Sequence, residues 1–417
     1  MPLSRGIASK TDVSPNTPSP GAPWPACADA FVDSVGVNVH LGSSPYRENF
    51  AAVTHAVATL GVRHLRDELR PLDDLARWRS LHAEAGVRCH LLVSPATNDV
   101  REMLEYLRAL GVEKVSAIEG QNEGDSPWFK WQPAAGGNWA TTVIDYQRHV
   151  YGAIRAAYPA STLPVVSPTV LDYRPADMHL LRPAAASCDV VALHPYPQGQ
   201  QEPETPDSYA GLGWYRRNFA EPFKPDAPVM ATEAGYVTGS GGVSLAAQAR
   251  YTPRLLLHAF ALGFARTFLY ELMDEGTDTA DPEQNFGLIT VAGSPKPAFQ
   301  TLRMLLQALA DPGPPFHPGE AAVARVRGPA NLRLVAFTRR DGTAVIALWR
   351  AGRSWDKAAR RDIPVLAEPV TLRLASPMRQ AATLLLLAGQ DWQVQATVSG
   401  LVELAVGDTV TLLRLAP

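Results

Sequence analysis

The stretch Leu110-Gly-Val-Glu-Lys-Val-Ser-Ala-Ile-Glu-Gly-Gln-Asn-Glu123 contains the pattern on which the fold prediction rests. A helical sequence ends at Gly111, an apolar β-type run follows, and a polar Asn-Glu pair stands where that run ends. Glycine just past a helix is a common left-handed cap, from which a strand can begin directly. The same junction occurs at Gly61 and Gly86, so the spacing is 25 residues from 61 to 86 and from 86 to 111. This regular alternation predicts βα units around a parallel sheet.

The alternation of strands and helices can be followed through eight units. Strands are predicted at 34–42, 63–69, 87–95, 113–121, 163–171, 188–196, 228–235 and 264–273. The helical segments between them include 47–60, 99–110, 140–158 and 244–262. Eight such units predict an α/β fold of the (β/α)8 TIM barrel type, in which functional residues lie at the carboxyl ends of the strands.

The alternation stops near residue 310, where Asp311-Pro-Gly-Pro-Pro315 has the composition of a linker. Short runs of alternating polarity follow, and Asp341-Gly342 between the first two predicts a β-hairpin. We therefore predict an extended proline-rich tail at 1–30, the catalytic barrel at 31–310, a linker at 311–320 and a small all-β sandwich at 321–417.

Composition and charge exclude several classes of partner. The formal net charge of −3 gives no basis for binding nucleic acid or an anionic membrane, and no uninterrupted apolar stretch is long enough to insert into a bilayer. The three cysteines, Cys27, Cys89 and Cys188, form neither a disulfide framework nor a metal-ligand motif. The sequence leaves the oligomeric state open.

Two glutamates at the ends of predicted strands form the main candidate site. Glu123 follows Asn122 just after the fourth strand, and Glu233 ends the seventh strand in Pro228-Val-Met-Ala-Thr-Glu233. Cleavage of a glycosidic bond needs two carboxyl groups, one as the acid and one as the nucleophile. A single glutamate is most often a solvated loop residue, so the pair carries the prediction rather than either residue alone.

Polar side chains at other strand ends are candidates for holding the glutamates and the sugar. Arg66, at the end of the second strand, would keep Glu233 charged and oriented. Asn122 could hydrogen-bond a sugar 2-hydroxyl, an interaction that tightens in the transition state. In the sixth strand's His194-Pro-Tyr196, the tyrosine could donate to Glu233 and the histidine could contact the sugar or the other glutamate.

Aromatic residues are further candidates for substrate binding, because flat rings bury the C–H faces of sugars. Trp128 and Trp131 follow the fourth strand, and Tyr270 lies on the eighth. His40, on the first strand, could bind substrate, but a surface or core role fits this residue equally well. Ordinary packing is likewise an open alternative for each tryptophan.

Taken together, these residues resemble the active site of a clan A glycoside hydrolase, a superfamily of retaining enzymes built on (β/α)8 barrels. Its members place an Asn-Glu acid/base at the fourth strand and a glutamate nucleophile at the seventh. The matching residues are Asn122-Glu123, Glu233, the His194 and Tyr196 element, and Arg66. Family 39 and the exopolysaccharide glycosidases near it are the most similar, partly because of the appended β-sandwich.

The resemblance covers residues 34–305. It implies a retaining glycosidase for a polysaccharide or oligosaccharide, with Glu123 as acid/base, Glu233 as nucleophile and no metal or organic cofactor. It also implies a secreted or periplasmic bacterial location, although no signal peptide is visible. Gly124 stands where proline is commonest, and Leu269-Tyr270 lacks a frequent tryptophan, so the substrate stays open.

A barrel that binds carbohydrate without cleaving it is the alternative from another functional class. The presence of both glutamates argues against this alternative, since a protein that has lost its catalytic activity commonly lacks one of them. A metal-dependent hydrolase is disfavoured because Val37-Asn-Val-His40 supplies a single histidine and no His-Glu-x-x-His occurs. A serine hydrolase is disfavoured because no Gly-x-Ser-x-Gly occurs.

Overall fold

A computed structural model of the chain describes residues 25–70, 74–127, 138–197, 200–205, 211–319, 323–375, 380–387 and 391–417. Trp128 and Trp131, two of the predicted site residues, lie outside these ranges, as do residues 1–24 of the predicted tail. The last residues of that predicted tail are not extended throughout. They form strand β1 (Ala26–Cys27) and the start of helix α1 (Ala28–Asp33).

The described residues contain a ring of eight parallel strands. These are β2 (Val35–Asn38), β3 (His64–Glu68), β4 (Arg88–Leu92), β5 (Val115–Glu119), β6 (Val165–Val166), β7 (Val191–Leu193), β8 (Val229–Ala234) and β9 (Phe264–Leu269). Strand β2 pairs with both β3 and β9, and a parallel bridge between Val166 and Val190 joins β6 to the start of β7. The ring confirms the predicted (β/α)8 barrel.

Helices connect the barrel strands. In the described chain they are α2 (Ser44–Glu48), α3 (Phe50–Leu60), α4 (Leu75–Ala85), α5 (Val100–Leu110), α6 (Trp139–Ala157), α7 (Pro175–Leu181), α8 (Leu212–Tyr215), α9 (Glu221–Phe223), α10 (Leu245–Ala261) and α11 (Pro297–Leu309). Each long helix buries one face; in α5 the buried residues Met103, Leu107 and Leu110 repeat at helical spacing. A membrane span would need a longer and more apolar helix than any the structure describes.

The predicted glycine junctions explain how the chain passes from helix to strand. Gly61 and Gly86 have φ values of 80° and 67° and cap α3 and α4 in the left-handed conformation. This conformation is strained for residues with a Cβ, which is why glycine stands there. The third junction differs, because the chain makes a 3-10 turn at Val112–Lys114 before β5 begins.

The C-terminal part consists of antiparallel strands in two main sheets. Its strands are β10 (Val323–Arg327), β11 (Leu332–Thr338), β12 (Ala344–Arg350), β13 (Trp355–Asp356), β14 (Arg361–Asp362), β15 (Glu368–Leu374), β16 (Gln380–Leu385), β17 (Gln393–Gln395), β18 (Thr397–Val398), β19 (Leu401–Val406) and β20 (Thr411–Ala416). One sheet has the order β1-β11-β12-β20-β16-β17 and the other β10-β15-β19-β18. The two sheets confirm the predicted β-sandwich, and β1 adds a parallel edge strand from the start of the barrel.

Strand β12 shows how the sandwich attaches to the barrel. Ile346 and Leu348 pack into the core between the two sheets. Val345, Ala347 and Trp349, on the other face of the same strand, belong to the hydrophobic cluster of the barrel. A strand buried on both faces explains why this run is continuously apolar rather than alternating. The larger sheet therefore lies between the smaller sheet and the barrel.

A buried ion pair also crosses this contact. The carboxylate of Glu204, in the loop after β7, accepts from Nε of Arg254 at 2.9 Å and from Nε1 of Trp349 at 2.6 Å. Arg254 lies on α10 and donates further to the carbonyl of Gly352. Buried charges are tolerated when they are paired and hydrogen-bonded. This network ties a barrel loop to the sandwich.

We predict opposite effects for two glycine-to-alanine substitutions. A Cβ on Gly36, in β2, would lie 2.4 Å from ring carbons of the buried Phe268, whereas one on Gly152, in α6, meets nothing within 4 Å. Gly36→Ala should therefore lower the free energy of unfolding by about 1–3 kcal/mol through overpacking. Gly152→Ala should raise it by about 0.5–1 kcal/mol, because glycine weakens a helix interior. Urea unfolding of both variants checks this, and equal effects would contradict it.

Candidate active site

The structure brings the two predicted glutamates to the same mouth of the barrel. Glu233 lies in β8, and Glu123 follows the end of β5. One side-chain oxygen of each, together with a ring nitrogen of His194, lies within 4.8 Å of the others. Nδ1 of His194 is 2.9 Å from Oε1 of Glu123 and 3.7 Å from Oε2 of Glu233. The histidine therefore stands between the two carboxylates.

Glu123 is held in an unusual backbone conformation. Its φ of 43° lies in the left-handed region, which costs a non-glycine residue about 1–3 kcal/mol and persists where surrounding contacts impose it. Thr169 supplies those contacts: its Oγ1 accepts from the Glu123 N–H at 2.9 Å and its carbonyl accepts from the Gly124 N–H at 3.1 Å. This turn directs the chain away from β5 and presents the carboxylate at the mouth.

Glu233 is surrounded by donors. Nη1 of Arg66 donates to its Oε1 at 2.9 Å, and the hydroxyl of Tyr196 donates to its Oε2 at 2.9 Å. Burial by itself would raise the pKa of Glu233, but the positive charges of His194 and Arg66 and the hydrogen bonds from Arg66 and Tyr196 lower it below the ordinary value. Glu233 is therefore a carboxylate at neutral pH.

Arg66 is itself fixed by a buried carboxylate that the sequence analysis did not single out. Glu119, the last residue of β5, accepts from Nε of Arg66 at 2.7 Å and from Nη2 at 3.0 Å. Nε2 of His90 lies 2.8 Å from the same carboxylate. Burial would raise the pKa of Glu119, but the charge of Arg66 and the hydrogen bond with His90 hold it well below its usual range. The sequence feature that could have identified Glu119 is its position as a charged residue inside an apolar strand.

The remaining donors of Arg66 reach two asparagines. Nη1 donates to Oδ1 of Asn38 at 2.8 Å, and Nη2 donates to Oδ1 of Asn122 at 3.0 Å. Asn38 was not predicted, although it lies on β2 and also donates to the carbonyl of Thr232 beside Glu233. Since the oxygen of Asn122 faces the guanidinium, its amide –NH2 is the group suited to donate to a ligand.

His194 carries a charge that depends on the glutamates. Burial would lower its pKa, but the negative charge of Glu233 and the hydrogen bond and charge of Glu123 outweigh burial and raise the pKa above the ordinary value. A protonated His194 can donate from Nδ1 to Glu123 while it offsets part of the charge of both carboxylates. The site thus places two carboxyl groups in contact with a guanidinium and an imidazole.

His40 and Tyr270 form an aromatic wall beside this group. The ring of Tyr270 lies 5.5 Å from that of His40, 6.5 Å from that of Tyr196 and 5.2 Å from that of Phe286, each in an edge-on arrangement. Phe286 was not among the predicted site residues. Burial lowers the pKa of His40 to about 4, so its imidazole is neutral at neutral pH. Apolar ring faces next to carboxylates suit a sugar, which has both C–H faces and hydroxyls.

The mouth residue Asp274, after β9, has a structural role. Its Oδ1 accepts from Nζ of Lys296 at 2.7 Å and from the Gly287 N–H at 2.8 Å. The ion pair is buried and joins the loop after β9 to the start of α11. Asp274 is therefore occupied within the protein.

Comparison with known proteins supports the fold. Neither a family model nor a curated protein sequence matches the chain. Among solved structures, a family 39 glycoside hydrolase from the gut symbiont Bacteroides cellulosilyticus WH2 is similar with a TM-score of 0.61 at 14% identity, covering 94% of this chain and 82% of that one. A glucosidase from Croceicoccus marinus gives 0.61 at 12% identity, covering 88% and 92%.

An endo-beta1,6-glucanase is similar as well, with a TM-score of 0.53 at 12% identity and coverage of 92% of this chain and 91% of that one. The similarity extends over both the barrel and the sandwich, since it covers most of the chain in each case. In fold, the chain resembles these three glycoside hydrolases.

We predict that the fold depends strongly on Glu119. Glu119→Gln removes the buried negative charge beside Arg66, and breaking a buried ion pair by removing one partner costs about 3–5 kcal/mol. Urea unfolding should show a loss of that size. The control is Asp145→Asn, which breaks an exposed pair with Arg148 and should cost less than about 1 kcal/mol. Equal losses in the two variants would contradict the importance of the buried network.

Proposed function

We propose that the protein is a retaining glycoside hydrolase that cleaves O-glycosidic bonds of an oligosaccharide or polysaccharide. The observation that carries this proposal is the approach of Glu123 and Glu233, whose nearest ligand oxygens lie within 4.8 Å. Retaining enzymes place their carboxyl groups about 5–5.5 Å apart, whereas inverting enzymes need about 6.5–9.5 Å to admit a water molecule. The similarity in fold to glycosidases supports the same conclusion.

In the first step, the carboxylate of Glu233 attacks the anomeric carbon and Glu123 gives its proton to the leaving oxygen. The environment of Glu233 supports the nucleophile role, because Arg66 and Tyr196 hold it ionised and oriented. Of the two glutamates, only Glu233 contacts the guanidinium of Arg66 in the described structure. The attack forms a covalent glycosyl ester and removes the negative charge of Glu233.

In the second step, Glu123 takes a proton from water, which attacks the glycosyl ester and releases Glu233. Nδ1 of His194 lies 2.9 Å from Oε1 of Glu123 and can donate to the carboxylate that acts as base. No step requires a group outside these side chains, the sugar and water.

The substrate class rests on the surroundings of the two glutamates. The rings of Tyr196, Tyr270 and Phe286 offer apolar faces, while Asn122 and His40 offer polar groups next to them. A chain of sugars is favoured over a single small glycoside by the similarity to an endo-beta1,6-glucanase over nearly the whole chain. The proposed partner is therefore a carbohydrate polymer or a fragment of one.

We predict that activity on a panel of glycans and aryl glycosides requires both glutamates. Glu123→Ala should lower the rate by about 10²–10⁴-fold on substrates with poor leaving groups, the usual contribution of general acid–base catalysis. Glu233→Ala should abolish the rate for good and poor leaving groups alike, because no covalent intermediate forms. Product release by chromatography measures the rates, and NMR of the first product should show retained anomeric configuration.

The control for these variants is Glu105→Gln, a change at an exposed residue of α5, which should keep wild-type activity. Circular dichroism should show all variants folded. Full activity in either alanine variant would refute the role of that glutamate, and an inverted product would refute the retaining mechanism. Glycan binding without cleavage by the wild type would instead favour the non-catalytic carbohydrate-binding barrel.

We predict a pH effect for Tyr196→Phe. The Tyr196 hydroxyl donates to ionised Glu233 and so lowers the pKa of that carboxyl. Without it the pKa of Glu233 rises, and the acidic limb of the profile of kcat/KM against pH moves to higher pH. Loss of a hydrogen bond to a charged group also lowers kcat/KM by about 10- to 100-fold. Tyr106→Phe, at a buried hydroxyl without a partner in the described chain, should leave the limb unchanged; a limb that stays in place in both variants would contradict the prediction.

A further inference from the structure

A second group of ligand-type side chains lies beside the two glutamates. His40 follows β2, and Glu271 and Glu275 follow β9, the strand that pairs with β2. Nε2 of His40 lies 3.5 Å from Oε2 of Glu271 and 3.9 Å from Oε1 of Glu275. A ligand atom from each of the three residues lies within 4.8 Å of the others. Three donor atoms therefore converge on one point.

Two atoms of this group lack hydrogen-bond partners in the described part of the chain. They are Nε2 of His40 and Oε1 of Glu271, the carboxyl oxygen other than the one that lies 3.5 Å from His40, and both atoms are buried. The side chain of Glu271 is 0% exposed. A buried polar atom without a partner carries a desolvation cost of about 1–3 kcal/mol, so a ligand that contacts these atoms would be stabilised. The hydroxyl of Tyr46 donates to Oε2 of Glu271 at 2.7 Å and orients the carboxyl.

We propose that His40, Glu271 and Glu275 bind a divalent metal ion of the zinc type. Zinc takes nitrogen and carboxylate oxygen ligands at about 2.0–2.2 Å in a tetrahedron, which places neighbouring ligand atoms about 3.4 Å apart. The distances of 3.5 and 3.9 Å from the His40 nitrogen are close to this value. Tyr46 would serve as the outer partner that metal-ligating side chains commonly have.

The spacing disfavours a protonated amine in the same place. An ammonium group donates over about 2.8 Å, so three acceptors around it would lie about 4.6 Å apart, further than the two measured distances. Burial raises the pKa of Glu275 and the charge of Arg70 only partly opposes this rise, while the Arg70 guanidinium pairs with Glu68 at 2.9 Å. The cluster thus keeps carboxylates that no single arginine neutralises.

A metal bound here would act next to the substrate. Three protein ligands leave the fourth position of a tetrahedral ion open, as in sites where zinc contacts water or substrate. The His40 ring packs 5.5 Å from Tyr270, which in turn contacts Tyr196, the donor to Glu233. The open position is therefore suited to a sugar hydroxyl or a water molecule at the barrel mouth. The metal site does not depend on the proposed glycosidase activity.

The test uses the full chain without an affinity tag, stripped with EDTA and dialysed against zinc chloride. Metal content by mass spectrometry and titration calorimetry should give one zinc per chain. His40→Gln and Glu275→Gln should each weaken zinc binding by at least about 100-fold, and Tyr46→Phe by about 10- to 100-fold, the usual effect of losing an outer partner. Glu283→Gln is the matched control. It removes a carboxylate whose charge reaches Glu275 but supplies no ligand atom to the cluster, and it should change affinity less than about tenfold.

Three results would overturn the proposal. The first is less than one zinc per chain at saturating metal. The second is equal zinc binding by the wild type, His40→Gln and Glu275→Gln, with all three folded by circular dichroism. The third is binding of glucosamine that depends on Glu275 in the absence of zinc, which would assign the cluster to an amine. Because no glycoside is cleaved in these measurements, they separate the metal site from the proposed hydrolase activity.

Discussion

The barrel mouth depends on one buried guanidinium. Arg66, on β3, donates to Glu119 at the end of β5, to Asn38 on β2, to Asn122 and to Glu233 on β8. Guanidinium geometry is rigid and offers five N–H donors, so a single side chain sets the relative positions of several strand ends. Because Arg66 is shared by two carboxylates, it keeps both of them charged, and removing Arg66 would leave two buried carboxylates without the positive charge that compensates them.

How far the site follows from the sequence depends on the kind of residue. Glu123, Glu233 and Tyr196 were predicted as site residues because they stand at strand ends, where a barrel presents its side chains, and the 25-residue glycine spacing located the strand that precedes Glu123. Glu119 and Asn38 lie within strands. Whether a strand residue points into the barrel and which partner it meets depend on register around the ring, which local patterns do not determine. The shortest barrel strand, β6, has two residues, Val165–Val166, within the predicted strand 163–171.

The sandwich takes part in the architecture of the mouth. The loop after β7 contains Tyr196 at its start and Glu204 further along. Glu204 accepts hydrogen bonds from Arg254 of the barrel and Trp349 of the sandwich. The composition near residue 310 is that of a linker between two domains. The loop after β7 nevertheless contacts residues on both sides of this linker, Arg254 before it and Trp349 after it. Packing between distant segments, which brings β1 to the sandwich and Trp349 to the barrel, is not encoded in local periodicity.

The charged groups around Glu233 differ from those around Glu271, on the other side of the barrel mouth. Around Glu233, the two carboxyl groups of the proposed mechanism contact the guanidinium of Arg66 and the imidazole of His194. Around Glu271, burial first and then the charges of Glu275, Asp274 and Glu283 raise the pKa of the carboxyl, because the facing groups are acidic and His40 is neutral. A ligand that brings positive charge or donors to the Glu271 side would relieve this repulsion, while one that brings negative charge would increase it. The acidic groups around Glu271 therefore oppose a negatively charged ligand at the His40 side of the barrel mouth.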